Sequence, residues 1–152
     1  MKFSSQEEYG LRCLLQLARR GGTGAGLTIG EISREEGLSA AYVAKLMRLL
    51  RLGGFVDSVR GQEGGYSLSR PADSILVSDV LIALGGKVYE HDFCEHYSGT
   101  EDSCLHTVSC SIRPLWRRVQ EAIDTALRGL TIADLLPSRD VVSITLERIE
   151  QA

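Results

Sequence analysis

Three of the chain's four cysteines, Cys94, Cys104 and Cys110, fall in one short segment, FCEHYSGTEDSCLHTVSC (93–110). Thiolates gathered at this density take iron–sulfur clusters or zinc in a reducing compartment, and pair as disulfides in an oxidising one. Nitrogen donors are close in sequence: His96 and His106 lie within the segment and His91 just before it. Cys13 stands apart in an apolar-periodic stretch and reads as a small core residue. Nothing else in the chain has the spacing of a reactive site. There is no nucleophile–base pair and no HExxH-type metal motif. The glycines of 61–65 form a turn without a following helix, so they cannot cradle a phosphate. The sequence therefore argues against an enzyme and offers no small-molecule substrate site.

These thiols need elements to hold them. A chain of 152 residues with 43% hydrophobic and 24% charged residues builds an ordinary core without disulfides. The N-terminal stretch MKFSSQEEYGLRC becomes charged early, without the apolar run of a secretory signal. No segment is long and apolar enough to span a bilayer. The expectation is a cytoplasmic protein with reduced thiols and no membrane partner. The formal net charge is −3, but it is unevenly spread. Residues 42–70 carry Lys45, Arg48, Arg51, Arg60 and Arg70 against Asp57 and Glu63; residues 81–110 carry Lys87 against Glu90, Asp92, Glu95, Glu101 and Asp102. A basic module followed by an acidic cysteine loop can bind a polyanion locally despite the negative total.

Periodicity supplies the elements. Tyr9, Leu11, Leu14, Leu15 and Leu17 recur at helical spacing over residues 5–20. GGTGAG (21–26) breaks the helix. Thr28 with Glu31 forms a capping box for a short helix from Ile29 to Glu36, closed by Gly37. A longer helix spans Ala40–Leu52, with Val43, Leu46, Met47 and Leu50 as its apolar stripe. FVDSVR and YSLSR alternate as two strands around GQEGG. Residues 74–84 begin extended and turn helical near Ser78. Pro114 opens a helix carrying Trp116, Leu115, Val119, Ile123 and Leu127, read as a dimer seam, and TIADLL reads as a further helical turn. Short helix, tight turn, longer helix and β-hairpin is the order of a winged helix-turn-helix. The expected fold is mainly α with a small hairpin wing. It comprises a DNA-binding domain (1–84), a cysteine loop (85–112), a dimerisation helix (113–136) and a charged tail (137–152).

The run YVAKLMRLLRLGGFVDSVRGQEGGYSLSR (42–70) resembles the Rrf-two family of bacterial winged-helix repressors. The resemblance is sharpest at Ser58-Val59-Arg60-Gly61-Gln62-Glu63-Gly64-Gly65-Tyr66, followed by Leu68 and Arg70. MKFSSQEEYGLRCLLQLA, SILVSDVLIALGG and LTIADL resemble the family's opening, its post-wing segment and the end of its long helix, so the likeness covers roughly residues 1–136. It implies a homodimer that binds a pseudo-palindromic operator in double-stranded DNA. Ser39, Tyr42, Lys45 and Arg48 would act from the recognition helix, and Arg60, Gly61, Gly64, Gly65 and Tyr66 from the wing. Tyr42 suits a phosphate or base-edge contact, and Arg60 a narrow minor groove. Ala41 and Ala44 stand where IscR-like members have polar residues, so base readout here is thinner or different.

The same resemblance implies a cluster, [2Fe–2S] in preference to [4Fe–4S], held by Cys94, Cys104 and Cys110. The second cysteine interval matches the family; the first is longer, and its polar insert EHYSGTED can loop out. IscR-like members take a histidine three residues after the last cysteine, where this chain has Arg113, which cannot ligate. Glu8 occupies the slot where NsrR-like and RsrR-like members carry an acidic ligand from the partner subunit, and is the favoured fourth ligand over His91, His96 and His106. Ser33 replaces the helical histidine of RsrR-like members. The reading is a transcription regulator, most simply a repressor, controlled by a cluster that senses redox state, nitric oxide or iron–sulfur status. The alternatives are a cluster-free thiol–disulfide sensor, a zinc site, or an electron-transfer or docking module that does not bind DNA.

Overall fold

Ser4 starts the first helix: its hydroxyl accepts from the Glu7 N–H and the Glu7 carboxylate accepts from the Ser4 N–H, a reciprocal cap. In the computed structural model, helix α1 spans Ser5–Arg19 and buries Gly10, Cys13, Leu14 and Leu17. The described residues are 3–21, 26–59, 64–90, 93–101, 104, 106 and 109–137. Arg60, Gly61, His91 and all but the first residue of the expected tail lie outside them.

Helix α2 (Ile29–Glu36) has the expected capping box between Thr28 and Glu31 and ends at Gly37, whose φ of 66° is the left-handed conformation glycine favours. The chain turns there and enters α3 (Ala40–Leu52), capped by the Ser39 hydroxyl. Gly54, at φ 75°, releases the chain into β1 (Val56–Val59), which pairs antiparallel with β2 (Gly65–Leu68) in the register Val56–Leu68 through Val59–Gly65. Leu27 joins the hairpin as an isolated bridge: its N–H donates to Tyr66 O at 2.9 Å and its carbonyl accepts from Tyr66 N at 2.8 Å. A single bridging residue has no alternation to read, so the sequence did not announce it. A 3₁₀ turn (Ala72–Ser74) precedes α4 (Val77–Gly85).

Two compact units follow from the contacts, residues 1–85 with 129–152, and residues 86–128. The core of the first is built from Leu14, Leu17, Ile32, Leu46, Met47, Leu50, Ile75 and Val80, all fully buried. Segment 130–135 differs from the expected helical continuation. Thr131 bridges Leu76, Leu130 O accepts from Val77 N at 2.9 Å, Ile132 is fully buried, and Ala133–Leu135 is a 3₁₀ turn. The physical reason is Gly129, whose φ of 73° breaks the helix and lets Ile132 return to the first unit's core. In the second unit, α5 spans Arg113–Ala126, with Pro114 in its first turn. None of its residues is buried, and Leu115 is 53% exposed.

Candidate functional site

Helix α3 buries Val43, Leu46, Met47 and Leu50, which turns Ala41, Lys45, Arg48 and Leu52 to solvent. Lys45 and Arg48 thus share an exposed stripe, as a groove-reading helix requires. Ser39 is exposed too, but its Oγ accepts from the Tyr42 N–H at 3.3 Å, so it also serves as the helix cap. Tyr42 is half-buried, and its ring meets Tyr9 of α1 edge to face, centroids 6.1 Å apart at 85°.

On the wing, Gly64 is exposed and Tyr66 half-buried. Gly65 has a packing reason of its own. A Cβ there would lie 2.5 Å from the Leu27 carbonyl oxygen and 3.0 Å from the Thr28 nitrogen. Arg70 closes the base of the hairpin: its Nη1 donates to Gly54 O at 2.9 Å and its Nε to Ser74 O at 3.1 Å, with the guanidinium 5.4 Å from the Phe55 ring centroid.

The cysteines of the acidic loop come together. Cys94, Cys104 and Cys110, all half-buried and none in a disulfide, line one cavity of about 330 Å³ within the second unit. His106 shares that wall; His96 does not. Tyr89, Phe93, Tyr97 and Trp116 give the cavity an aromatic face, Phe93 lying 5.2, 4.8 and 6.0 Å from the other three rings. Within the chain, the half-buried Trp116 ring packs on the loop through Phe93, a contact the sequence did not announce. The four-residue spacing of Tyr89, Phe93 and Tyr97 was the signal for this wall. Gln120 of α5 ties the loop down, its Oε1 accepting from Tyr89 N at 3.2 Å.

Cys13 is fully buried, and burial pushes its thiol up to about 12, so it stays protonated and inert. Glu8 is exposed in the first turn of α1, in the other unit. The three thiols fit the donor chemistry of an iron–sulfur cluster, being accessible, unpaired and on one wall. Among the described residues no three His, Cys, Asp or Glu groups already stand in metal-holding geometry, so ligation would require the loop to tighten.

A short helix, a left-handed turn, a solvent-facing second helix and a hairpin define a winged helix-turn-helix regulator. The chain belongs to the Rrf2 family, described as an iron-dependent transcriptional regulator, which matches residues 3–138. It is 32% identical to protein rrf2 of Nitratidesulfovibrio vulgaris Hildenborough, over 90% of this chain and 87% of that one. It is 30% identical to the transcriptional regulator IscR of Klebsiella pneumoniae strain 342, over 95% and 85%. The structure of CymR, the global cysteine regulator of B. subtilis, superposes with a TM-score of 0.65 at 27% identity, covering 89% of this chain and 95% of that one. The protein is thus a transcriptional regulator rather than an enzyme. Among the described residues no helix is long and apolar enough to cross a membrane.

Proposed function

We propose that the protein is a cytoplasmic, homodimeric repressor that binds a pseudo-palindromic duplex through α3 and the wing, and whose affinity depends on an iron–sulfur cluster at Cys94, Cys104 and Cys110. The observation that carries this is the shared cavity of the three thiols directly before α5. A bound cluster, [2Fe–2S] in preference, supplies a redox- and nitric-oxide-responsive centre. The chain's own residues do the rest. The exposed apolar residues of α5 pair the protomers, the loop anchored by Gln120 moves with the state of the thiols, and the spacing of the two α3 helices follows. Half-sites one DNA turn apart tolerate little change in that spacing. Glu8 of the partner subunit is the proposed fourth ligand; His106, on the same cavity wall, is its competitor within the chain.

The similarity to a cysteine regulator favours one second reading, in which the same thiols form a reversible disulfide without a cluster. Anaerobic purification followed by an absorption spectrum with iron and acid-labile sulfide assays separates the two. Iron and sulfide in equal amounts, lost in C94A, C104A and C110A, support the cluster. Iron-free protein whose DNA affinity is switched by oxidant and restored by dithiothreitol supports the disulfide. E8A beside H91A, H96A and H106A then assigns the fourth ligand: loss of the cluster in one histidine variant with E8A unchanged would replace Glu8 by that histidine.

A further inference from the structure

Tyr9, Arg12 and Gln16 lie three and four residues apart, on one stripe of α1 facing the helix-turn-helix. All three are engaged there. Arg12 Nε donates to the Glu36 carboxylate at 2.6 Å and its Nη2 to the Glu36 carbonyl at 3.2 Å. Gln16 Nε2 donates to the same carboxylate. Glu36 is the last residue of α2, and its side chain is only 6% exposed, so this clamp holds the turn that launches α3. The pairing with Glu36 raises the Arg12 pKa, so the guanidinium is charged at any physiological pH. That guanidinium sits 5.3 Å from the Tyr9 ring centroid, and the Tyr9 ring in turn meets Tyr42 edge to face.

Glu36, Arg12, Tyr9 and Tyr42 therefore form one chain of contacts, from the buried Glu36 carboxylate at the end of α2 to the half-buried Tyr42 ring on α3. A half-buried tyrosine on a recognition helix has a free choice of rotamers unless something packs on its ring, and each rotamer places the hydroxyl elsewhere. From this geometry we propose that Tyr9, backed by Arg12, is a positioning residue for DNA binding: it fixes the Tyr42 ring so that the Tyr42 hydroxyl meets the DNA backbone or a base edge. The proposal rests on the reading that α3 contacts DNA, and names the groups outside α3 on which that contact depends. Tyr9 touches no DNA itself. It acts by removing the conformational cost of ordering Tyr42 at the interface.

The test uses full-length protein and the duplex that it enriches from a randomised pool, with affinity read by fluorescence anisotropy at several salt concentrations. Tyr9→Leu is expected to weaken binding about 3- to 10-fold, the range of one aromatic pair. Because a neutral hydroxyl contact is what is lost, the log–log salt slope should not change. Tyr9→Phe, which keeps the ring, should bind like the wild type. The decisive arm is the double-mutant cycle. In a Tyr42→Phe background, Tyr9→Leu should cost less than about 2-fold, since the group being positioned is already gone. Arg12→Met should follow Tyr9→Leu in the same cycle, and serves if Tyr9→Leu does not fold. Wild-type affinity for Tyr9→Leu, or losses that multiply fully in the double variant, would overturn the proposal. Failure of the underlying reading looks different: Tyr42→Phe, Lys45→Ala and Arg48→Ala would all leave affinity and salt slope untouched, and the positioning role would fall with it.

Discussion

Gly65 separates two explanations for a wing glycine, close approach to DNA and close approach to the protein itself. Replacing it by Ala puts a Cβ 2.5 Å from the Leu27 carbonyl oxygen and 2.6 Å from its carbon, and 3.0 Å from the Thr28 nitrogen. All are backbone atoms, so no side chain can swing aside. Either the wing or the Leu27 segment must move, and overpacking of this kind costs about 1–3 kcal/mol. Movement also strains the paired Leu27–Tyr66 hydrogen bonds of 2.9 and 2.8 Å, at roughly 0.5–1.5 kcal/mol each if they break. The sum is about 2–6 kcal/mol, part of it recoverable by relaxation, and a loss of about 2 kcal/mol is the working figure. For a chain of this length that lowers Tm by roughly 4–8 °C. Thermal unfolding followed by circular dichroism, without DNA, measures it. An unchanged Tm in G65A combined with weakened DNA binding would refute the packing argument and return Gly65 to a purely DNA-facing role. Because Thr28 caps α2, the same substitution should also weaken DNA binding indirectly, in proportion to the loss of stability.

Ile123→Asp places an unpaired charge on the half-exposed apolar face of α5; sedimentation should show monomer at concentrations where the wild type is dimeric, and a fully dimeric variant would put the interface elsewhere. Arg60→Ala should lower DNA affinity and make the salt slope shallower by about one unit, whereas no change in either would remove the wing from the interface. Glu31 accepts hydrogen bonds from the Thr28 N–H and hydroxyl, both at 2.8 Å, which hold its carboxyl below the usual carboxylate range. A depressed folded-state pKa stabilises at pH values above the unfolded value, about 4.3, and that stabilisation fades as the pH falls through the folded pKa. The stability gap between wild type and Glu31→Ala should therefore be widest near neutrality and narrow in acid; a gap independent of pH would mean that the carboxylate charge plays no part in the cap.

Local rules made much of the fold legible. The capping box at Thr28 and Glu31, the left-handed Gly37 and the apolar stripe of α3 each depend on residues within a turn of one another, so spacing alone reveals them. The wing motif carried the family in the same way. Cys13 was legible as core from its place on the α1 stripe, and its full burial agrees. What the tertiary structure alone decided are pairings between distant residues. Leu27 bridges Tyr66, Ile132 fills the core of the winged unit instead of prolonging a helix, and Trp116 lines the cysteine cavity. The contacts from Arg12 to Glu36 and from Tyr9 to Tyr42 join helices whose sequences are individually unremarkable. Periodicity states which face of an element is apolar, but not which of several apolar partners it meets. That choice is made by packing the whole core at once, and it put the three thiols on a single wall while leaving the residues of α5 without burial.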